Sequence, residues 1–164
     1  MSEKIYAAYG SNLNVEQMSF RCPGATRFRK AVLENYTLVF RGGRYHAVAT
    51  IEPKEGANVP IMLWSIGEQD EETLDRYEGY PNFYGKETMT FKVGGQSMEA
   101  MVYVMTPGHQ LGLPTMGYYD TILQGYKDCG LDPAVLEQAL NQTMEMMGPQ
   151  QKPPTLGISG LRMW

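Results

Sequence analysis

Glu78 lies in the stretch Leu74-Asp75-Arg76-Tyr77-Glu78-Gly79-Tyr80-Pro81-Asn82-Phe83-Tyr84, with aromatic residues on both sides. A carboxylate among Tyr77, Tyr80, Phe83 and Tyr84 is a candidate for burial and a raised pKa, the usual tuning of a general base. The competing reading is a solvated Glu at a helix C-terminus. Much earlier in the chain, Tyr9-Gly10-Ser11-Asn12-Leu13 follows an apolar run and precedes a short helical one. Successive backbone N–H groups in such a turn, with a helix N-terminus behind them, form a cradle for one small anion such as a carboxylate. Gly10 lets a ligand approach the backbone closely. An ordinary strand-to-helix turn, with Ser11 and Asn12 as local caps, is the alternative.

Other chemistries find less support. No GxxxxGK segment occurs and no GxGxxG follows a strand, so the cradle is not a nucleotide loop. His46 and His109 are the only histidines. Neither has a Ser or Cys nearby in a recognisable motif, as Ser–His or Cys–His catalysis would need. Cys22 and Cys129 form no CxxC pair and have no His at metal spacing, so they read as free thiols in a reducing compartment. Asp70, Glu71, Glu72 and Asp75 read as a solvated helix face, not a metal cluster.

The elements that must position these residues are legible in outline. Residues 4–9 are apolar on both faces and predict a buried strand. Asn14 with Gln17 three residues on resembles a capping box opening a helix at about 15–20. Strands are expected at 34–41, at 46–52 with a stop at Pro53, and at 59–66, where Pro60 suggests an edge or bulge. Residues 68–77 form an acidic helix stopped by Gly79 and Pro81. Residues 84–93 and 97–105 form a hairpin around Gly94-Gly95. Helices follow at 115–128 and at 132–147, the second with Asp132 as N-cap and Pro133 in its first turn. The order predicts an α+β fold: a small, strongly curved mixed sheet or barrel with flanking helices. Residues 1–148 are expected to form this domain and residues 149–164 an irregular tail.

At 164 residues the chain is long enough for one full core. A formal net charge of −4 argues against non-specific nucleic-acid binding. No signal peptide and no run near 20 apolar residues is present, so neither a leader nor a membrane span is expected, and the expected location is cytoplasmic. Eleven tyrosines suit a ligand pocket, because each joins an apolar body to a polar tip.

Taken together the two motifs resemble a known family. Tyr9-Gly10-Ser11-Asn12-Leu13 is similar to the signature loop of the γ-glutamylcyclotransferase-like proteins, and Leu74 to Pro81, with Tyr84 and Lys86, resembles that family's glutamate segment. Phe40 to Pro53, Leu63-Trp64, Ala100 to Val104, and Pro114-Thr115 with Tyr118, Gly125 and Gly130-Leu131 extend the likeness over about residues 4–131. Pro60-Ile61-Met62 stands where the family often has a Gly, and the tail after about 148 has no counterpart.

The resemblance implies a small β-barrel with flanking helices and a reaction in which a γ-glutamyl amide cyclises to 5-oxoproline and releases its amine. It implies neither metal nor cofactor, and a small γ-glutamyl molecule as partner. In that chemistry the substrate's own α-amine is the nucleophile, so one proton relay suffices, and Glu78 suits it. The backbone N–H groups of Gly10, Ser11, Asn12 and Leu13 would hold the α-carboxylate, with Tyr9 beside them as a further substrate-binding residue. Either the loop or Tyr84 would meet the developing oxyanion. The hydroxyls of Tyr84 and Tyr118 are expected to face the pocket, and Glu78 to lie within about 10 Å of the loop amides, the reach of one small substrate. Which amide is cleaved stays open. Hydrolysis or another acyl transfer on a γ-glutamyl group, and a non-catalytic carboxylate-binding module, are the alternatives.

Overall fold

The computed structural model describes residues 3–148; the tail expected at 149–164 lies outside the described residues. Five strands close into a barrel in the order β1 (Lys4–Ala8), β3 (Val48–Ile66), β2 (Thr26–Arg41), β4 (Tyr84–Val93) and β5 (Gln96–Met105). All neighbours are antiparallel except β1 and β5, which close the barrel in parallel. Four helices flank it: α1 (Val15–Arg21), α2 (Glu68–Glu78), α3 (Met116–Asp128) and α4 (Pro133–Met147). A single 3-10 turn, Ser11–Leu13, links β1 to α1. The interior is apolar, with Leu38, Phe40, Ile51, Ile61, Leu63, Phe91 and Val102 all buried. The mixed curved sheet expected from the sequence is thus a closed barrel.

Two strand boundaries differ from expectation. β2 starts at Thr26, because the exposed basic run 26–30 pairs with the end of β3 across a bulge between Arg27 and Arg29. β3 runs through both Pro53 and Pro60 as one strand, where two strands broken at Pro53 were expected. The register explains this. Glu34 faces Asn58 and Tyr36 faces Pro53, so one residue of β2, Asn35, stands opposite residues 54–57 of β3. Asn35 has a positive φ of 64°, and its Oδ1 accepts from the Gly56 N–H at 2.9 Å. The missing N–H of Pro53 therefore falls beside a ladder already interrupted, where proline is tolerated.

α2 begins with Asp70 Oδ2 accepting the Gly67 N–H at 3.0 Å and ends at Gly79, whose φ of 65° only glycine adopts freely. Its inner face is tied to the barrel by charge. Lys86 of β4 reaches Glu71 at 2.6 Å and Asp75 at 2.9 Å, and Tyr103 of β5 donates to Asp75 at 2.6 Å. This fixes the end of α2, and with it Glu78, against β4 and β5.

α3 fixes the loop. Asn14 caps α1 by accepting from the Gln17 N–H at 2.9 Å, and its amide donates to the Thr121 carbonyl at 3.0 Å. Asp128 accepts the Val15 N–H at 3.0 Å. The two segments touch backbone to backbone at Gly125, where an added Cβ would stand 2.7 Å from the Leu13 carbonyl carbon and the Asn14 nitrogen. Alanine ordinarily favours a helix over glycine by about 1 kcal/mol. Here the clash reverses the sign, and Gly125→Ala is expected to destabilise by about 1–3 kcal/mol. Thermal denaturation checks this: the midpoint should fall by roughly 3–10 °C, and an unchanged or raised midpoint would show that α3 does not bear on the loop.

Candidate functional site

The strand ends converge at one rim. β1 and β5 finish there, and β3 and β4 start there. Around this rim lies a cavity of about 190 Å³. That is smaller than the roughly 300–1,000 Å³ of drug-sized sites, and suits a group the size of an amino acid. Tyr9, Gly10, Ser11 and Asn12 line it from the loop, Glu78 and Tyr77 from the end of α2, Tyr84 from β4 and Tyr118 from α3. The structure thus brings the loop and Glu78 to one cavity, and Tyr77, next to Glu78, meets Ser11 directly, hydroxyl to hydroxyl at 3.1 Å.

Leu13 stands apart. It is fully buried, is absent from the cavity wall, and its N–H is spent inside the turn on the Gly10 carbonyl at 3.0 Å. The Asn14 N–H is likewise given to the Ser11 carbonyl. Among the described residues, the N–H groups of Gly10, Ser11 and Asn12 have no hydrogen-bond acceptor. The cradle is therefore these three amides, one fewer than the sequence suggested.

Tyr84 and Tyr118 both point at Ala49. On the side of β3 away from β2, the Ala49 backbone meets hydroxyls instead of a strand. Its N–H donates to the Tyr118 oxygen at 3.0 Å, and its carbonyl accepts from Tyr84 at 2.5 Å. These bonds fix the polarity of each hydroxyl. Tyr118, an acceptor from the backbone, keeps its proton for a ligand. Tyr84, a donor to the backbone, keeps its lone pairs. Tyr6 resembles Tyr118: it accepts from Asn12 Nδ2 at 2.9 Å and retains a proton to donate. The Tyr118 oxygen lies 3.7 Å from where a Cβ on Gly10 would stand, which places the hydroxyl beside the cradle.

Burial sets the ionisation of the site. It pushes the half-buried Glu78 carboxyl up to about 7, against the pull of the Arg21 guanidinium, which favours the charged form. Burial raises Tyr6, Tyr9, Tyr84, Tyr103 and Tyr118 above ordinary phenol values, helped at Tyr103 by the Asp75 carboxylate that accepts its hydroxyl and at Tyr6 and Tyr9 by the Glu78 charge, so each is a neutral hydroxyl at physiological pH. In a cavity of neutral hydroxyls and free amides, a carboxyl raised to about 7 marks Glu78 as the candidate acid–base group.

Sequence reasoning missed Tyr6, Ala49, Tyr103 and Arg21. The number of tyrosines signalled a polar-lined pocket, but no local pattern marks which strand residues face it. His109 is engaged elsewhere, its Nε2 meeting Thr106 Oγ1 at 3.1 Å and its ring packing 4.9 Å from Phe83, and neither it nor His46 lines the cavity. Cys22 and Cys129 are buried free thiols. Among the described residues no three His, Cys, Asp or Glu side chains converge as metal ligands, and no helix is long and apolar enough to cross a membrane.

The family model described as "Gamma-glutamyl cyclotransferase, AIG2-like" matches residues 6–121, a span that contains both the loop and Glu78. The human protein named gamma-glutamylcyclotransferase is 28% identical over 136 residues, covering 77% of this chain and 72% of its own. The bovine protein of the same name is 27% identical over 146 residues, covering 84% and 77%. A solved structure titled "Gamma-glutamyl cyclotransferase" superposes with a TM-score of 0.77 at 26% identity, covering 84% of this chain and 86% of that one. By the span of the family match, borne out by the closed barrel, this chain is a member of the AIG2-like γ-glutamyl cyclotransferase family.

Proposed function

We propose that the protein converts a γ-glutamyl amide to 5-oxoproline and a free amine, with Glu78 as the general acid and base. The observation that carries this reading is that Glu78 and the free amides of Gly10, Ser11 and Asn12 wall a single cavity of amino-acid size. The α-carboxylate sits on those amides with the Tyr118 hydroxyl as a further donor. The α-ammonium faces Glu78 and the lone pairs of Tyr84. This folds the glutamyl chain so that its amine meets its own γ-carbonyl, an arrangement that converts encounter into a unimolecular step.

Glu78 takes a proton from the α-ammonium. The freed amine forms a bond to the γ-carbonyl carbon, and Glu78 returns that proton to the leaving nitrogen as the amide C–N bond breaks. The second proton, shed by the ring nitrogen, passes the same way, so the product amine departs as its ammonium and Glu78 is regenerated as the carboxylate. Nothing is oxidised and no water is consumed. A free Glu at about 4.3 would be a poor partner for an α-amine near 8. A Glu78 held at about 7 removes most of that gap. Charge developing on the γ-carbonyl oxygen needs a donor, and Tyr6 retains a free proton for it, whereas the Tyr84 proton is committed to Ala49. A small γ-glutamyl molecule as substrate and a cytoplasmic location, where both thiols stay reduced, belong to the same reading.

The direct test incubates the protein with a panel of γ-glutamyl amides and identifies the product by mass. 5-Oxoproline supports cyclisation, free glutamate would mean hydrolysis, and no turnover with tight binding would mean a binding module. Glu78→Gln keeps size and most hydrogen bonding while removing proton acceptance, so kcat should fall at least ~10²-fold with substrate binding retained. Near wild-type turnover in this variant would remove Glu78 from the mechanism.

The pH dependence has a definite sign. Rate should rise as Glu78 loses its proton, giving kcat/KM an acid limb with a midpoint near 7; a limb near 4–5 would contradict the burial argument. Stability should move the other way. Between its ordinary value of 4.5 and about 7, the folded protein holds a proton that the unfolded chain has released. Stability is therefore lost as pH rises through that window, on the order of 1–2 kcal/mol once partial solvent exposure is discounted. Denaturant titrations should show that loss in the wild type and its absence in Glu78→Gln.

The tyrosines separate by role. Tyr84→Phe strands the Ala49 carbonyl and should cost about 1–3 kcal/mol of stability. Tyr118→Phe should in addition raise KM several-fold, through loss of a donor to the carboxylate. A wild-type KM in Tyr118→Phe would remove Tyr118 from substrate binding.

A further inference from the structure

Arg21 lies outside the cavity wall yet touches both halves of the site. It closes α1, half-buried, with its guanidinium between the loop and the end of α2. Nη1 donates to Asn12 Oδ1 at 2.9 Å, and Cζ stands 3.6 Å from the centroid of the Tyr77 ring. Each contact leads on into the cavity. Asn12 is 3% exposed, so its amide has no water to turn to. With Oδ1 held by Arg21, Nδ2 faces Tyr6, and the Tyr6 proton is left for a ligand. On the other branch, the Tyr77 hydroxyl meets Ser11 at 3.1 Å, and Tyr77 immediately precedes Glu78. A planar cation seated on that ring sets where the last turn of α2 stands against the loop. Arg stacks and donates at once, which Lys does not.

We propose that Arg21 is a positioning residue: its guanidinium joins the anion-binding loop to the helix end carrying Glu78 and sets a positive charge against that carboxylate. The proposal rests on the reading of Glu78 as the base. The groups facing Glu78 from the surrounding elements are Tyr6 and Tyr9 at the end of β1, Tyr77 on α2, Tyr84 on β4, Tyr103 on β5 and Tyr118 on α3, with Arg21 from α1. The buried tyrosines are protonated and carry no charge at neutral pH. Lys86 is committed to Glu71 and Asp75, which balance it. Arg21 therefore opposes burial at Glu78, and its two functions are separable. A neutral residue at 21 removes the charge, while lysine keeps the charge and loses the flat face on Tyr77.

The test follows the Glu78 carboxyl directly in protein labelled with ¹³C-glutamate, its resonance assigned by disappearance in Glu78→Gln. In Arg21→Gln the titration midpoint should rise by about half a unit or more, less than the roughly 1–3 units of a directly adjacent opposite charge because Arg21 stands a layer behind. In Arg21→Lys it should stay within a few tenths of a unit. Both variants should lose about tenfold or more in kcat/KM for 5-oxoproline formation, because both lose the seat that aligns loop and helix. An unmoved midpoint in Arg21→Gln, or wild-type kcat/KM in Arg21→Lys, would overturn the assignment, and either variant alone suffices should the other fail to fold. The titration needs no turnover. A shifted midpoint in a protein that makes no 5-oxoproline would refute the proposed activity and leave the placement of Arg21 standing.

Discussion

The desolvation of one carboxylate is the constraint around which this barrel is built. Glu78 stands where water is partly excluded, and the penalty for charging it there is what lifts its carboxyl to about 7. Nothing in the cavity neutralises it outright. Tyr6, Tyr9, Tyr84 and Tyr118 are too deeply buried to ionise, Lys86 is balanced by two acids, and Arg21 lies a layer behind. A paired carboxylate would be pulled down and fixed as an anion. A carboxylate buried without any opposing charge would be held as a neutral acid. At about 7 the Glu78 carboxyl lies where the proposed proton relay needs it.

That balance depends on holding two distant segments in register, and the fold does so with different physics on each side. The loop is held by backbone contact: α3 lies on Leu13 and Asn14 at a glycine, and the Asn14 and Asp128 side chains hydrogen-bond across at the start of α1. The end of α2 is held by charge, through Lys86, Glu71, Asp75 and Tyr103. Between them, the side of β3 away from β2 is satisfied at Ala49 by hydroxyls where a further strand would otherwise pair. Closing the barrel with tyrosines at that point gives the cavity its polar lining. A sixth strand there would have satisfied the same backbone groups and filled the space.

How much of this was legible in the sequence follows from the range of each interaction. Glu78 and the Gly10-Ser11-Asn12 turn were readable because their cues are local: a carboxylate flanked by aromatics at a helix end, and a glycine turn before a capped helix. The helix caps at Asn14, Gly79 and Asp132 were readable for the same reason. β3 was misjudged at Pro53, because the excursion that accommodates it is set by Asn35 on the partner strand. Leu13 looked like part of the cradle, and its N–H is taken by the 3-10 turn, a one-residue difference in turn geometry. Arg21, Tyr6 and Tyr103 carried no signal, since barrel closure decides which strand residues face the cavity and Arg21 meets Tyr77 only through the packing of α1 against α2. Family likeness supplied the reaction, which no spacing in the chain encodes.

The central claim is that the three loop amides hold the α-carboxylate, and Glu78 the α-amine, of one glutamyl group. A crystal structure with 5-oxoproline bound tests it most directly. The account predicts the product carboxylate within about 3.2 Å of the Gly10, Ser11 or Asn12 nitrogens, with the lactam nitrogen turned toward the Glu78 carboxyl. A carboxylate bound away from the loop, or a Glu78 side chain turned from the ligand into solvent, would contradict it.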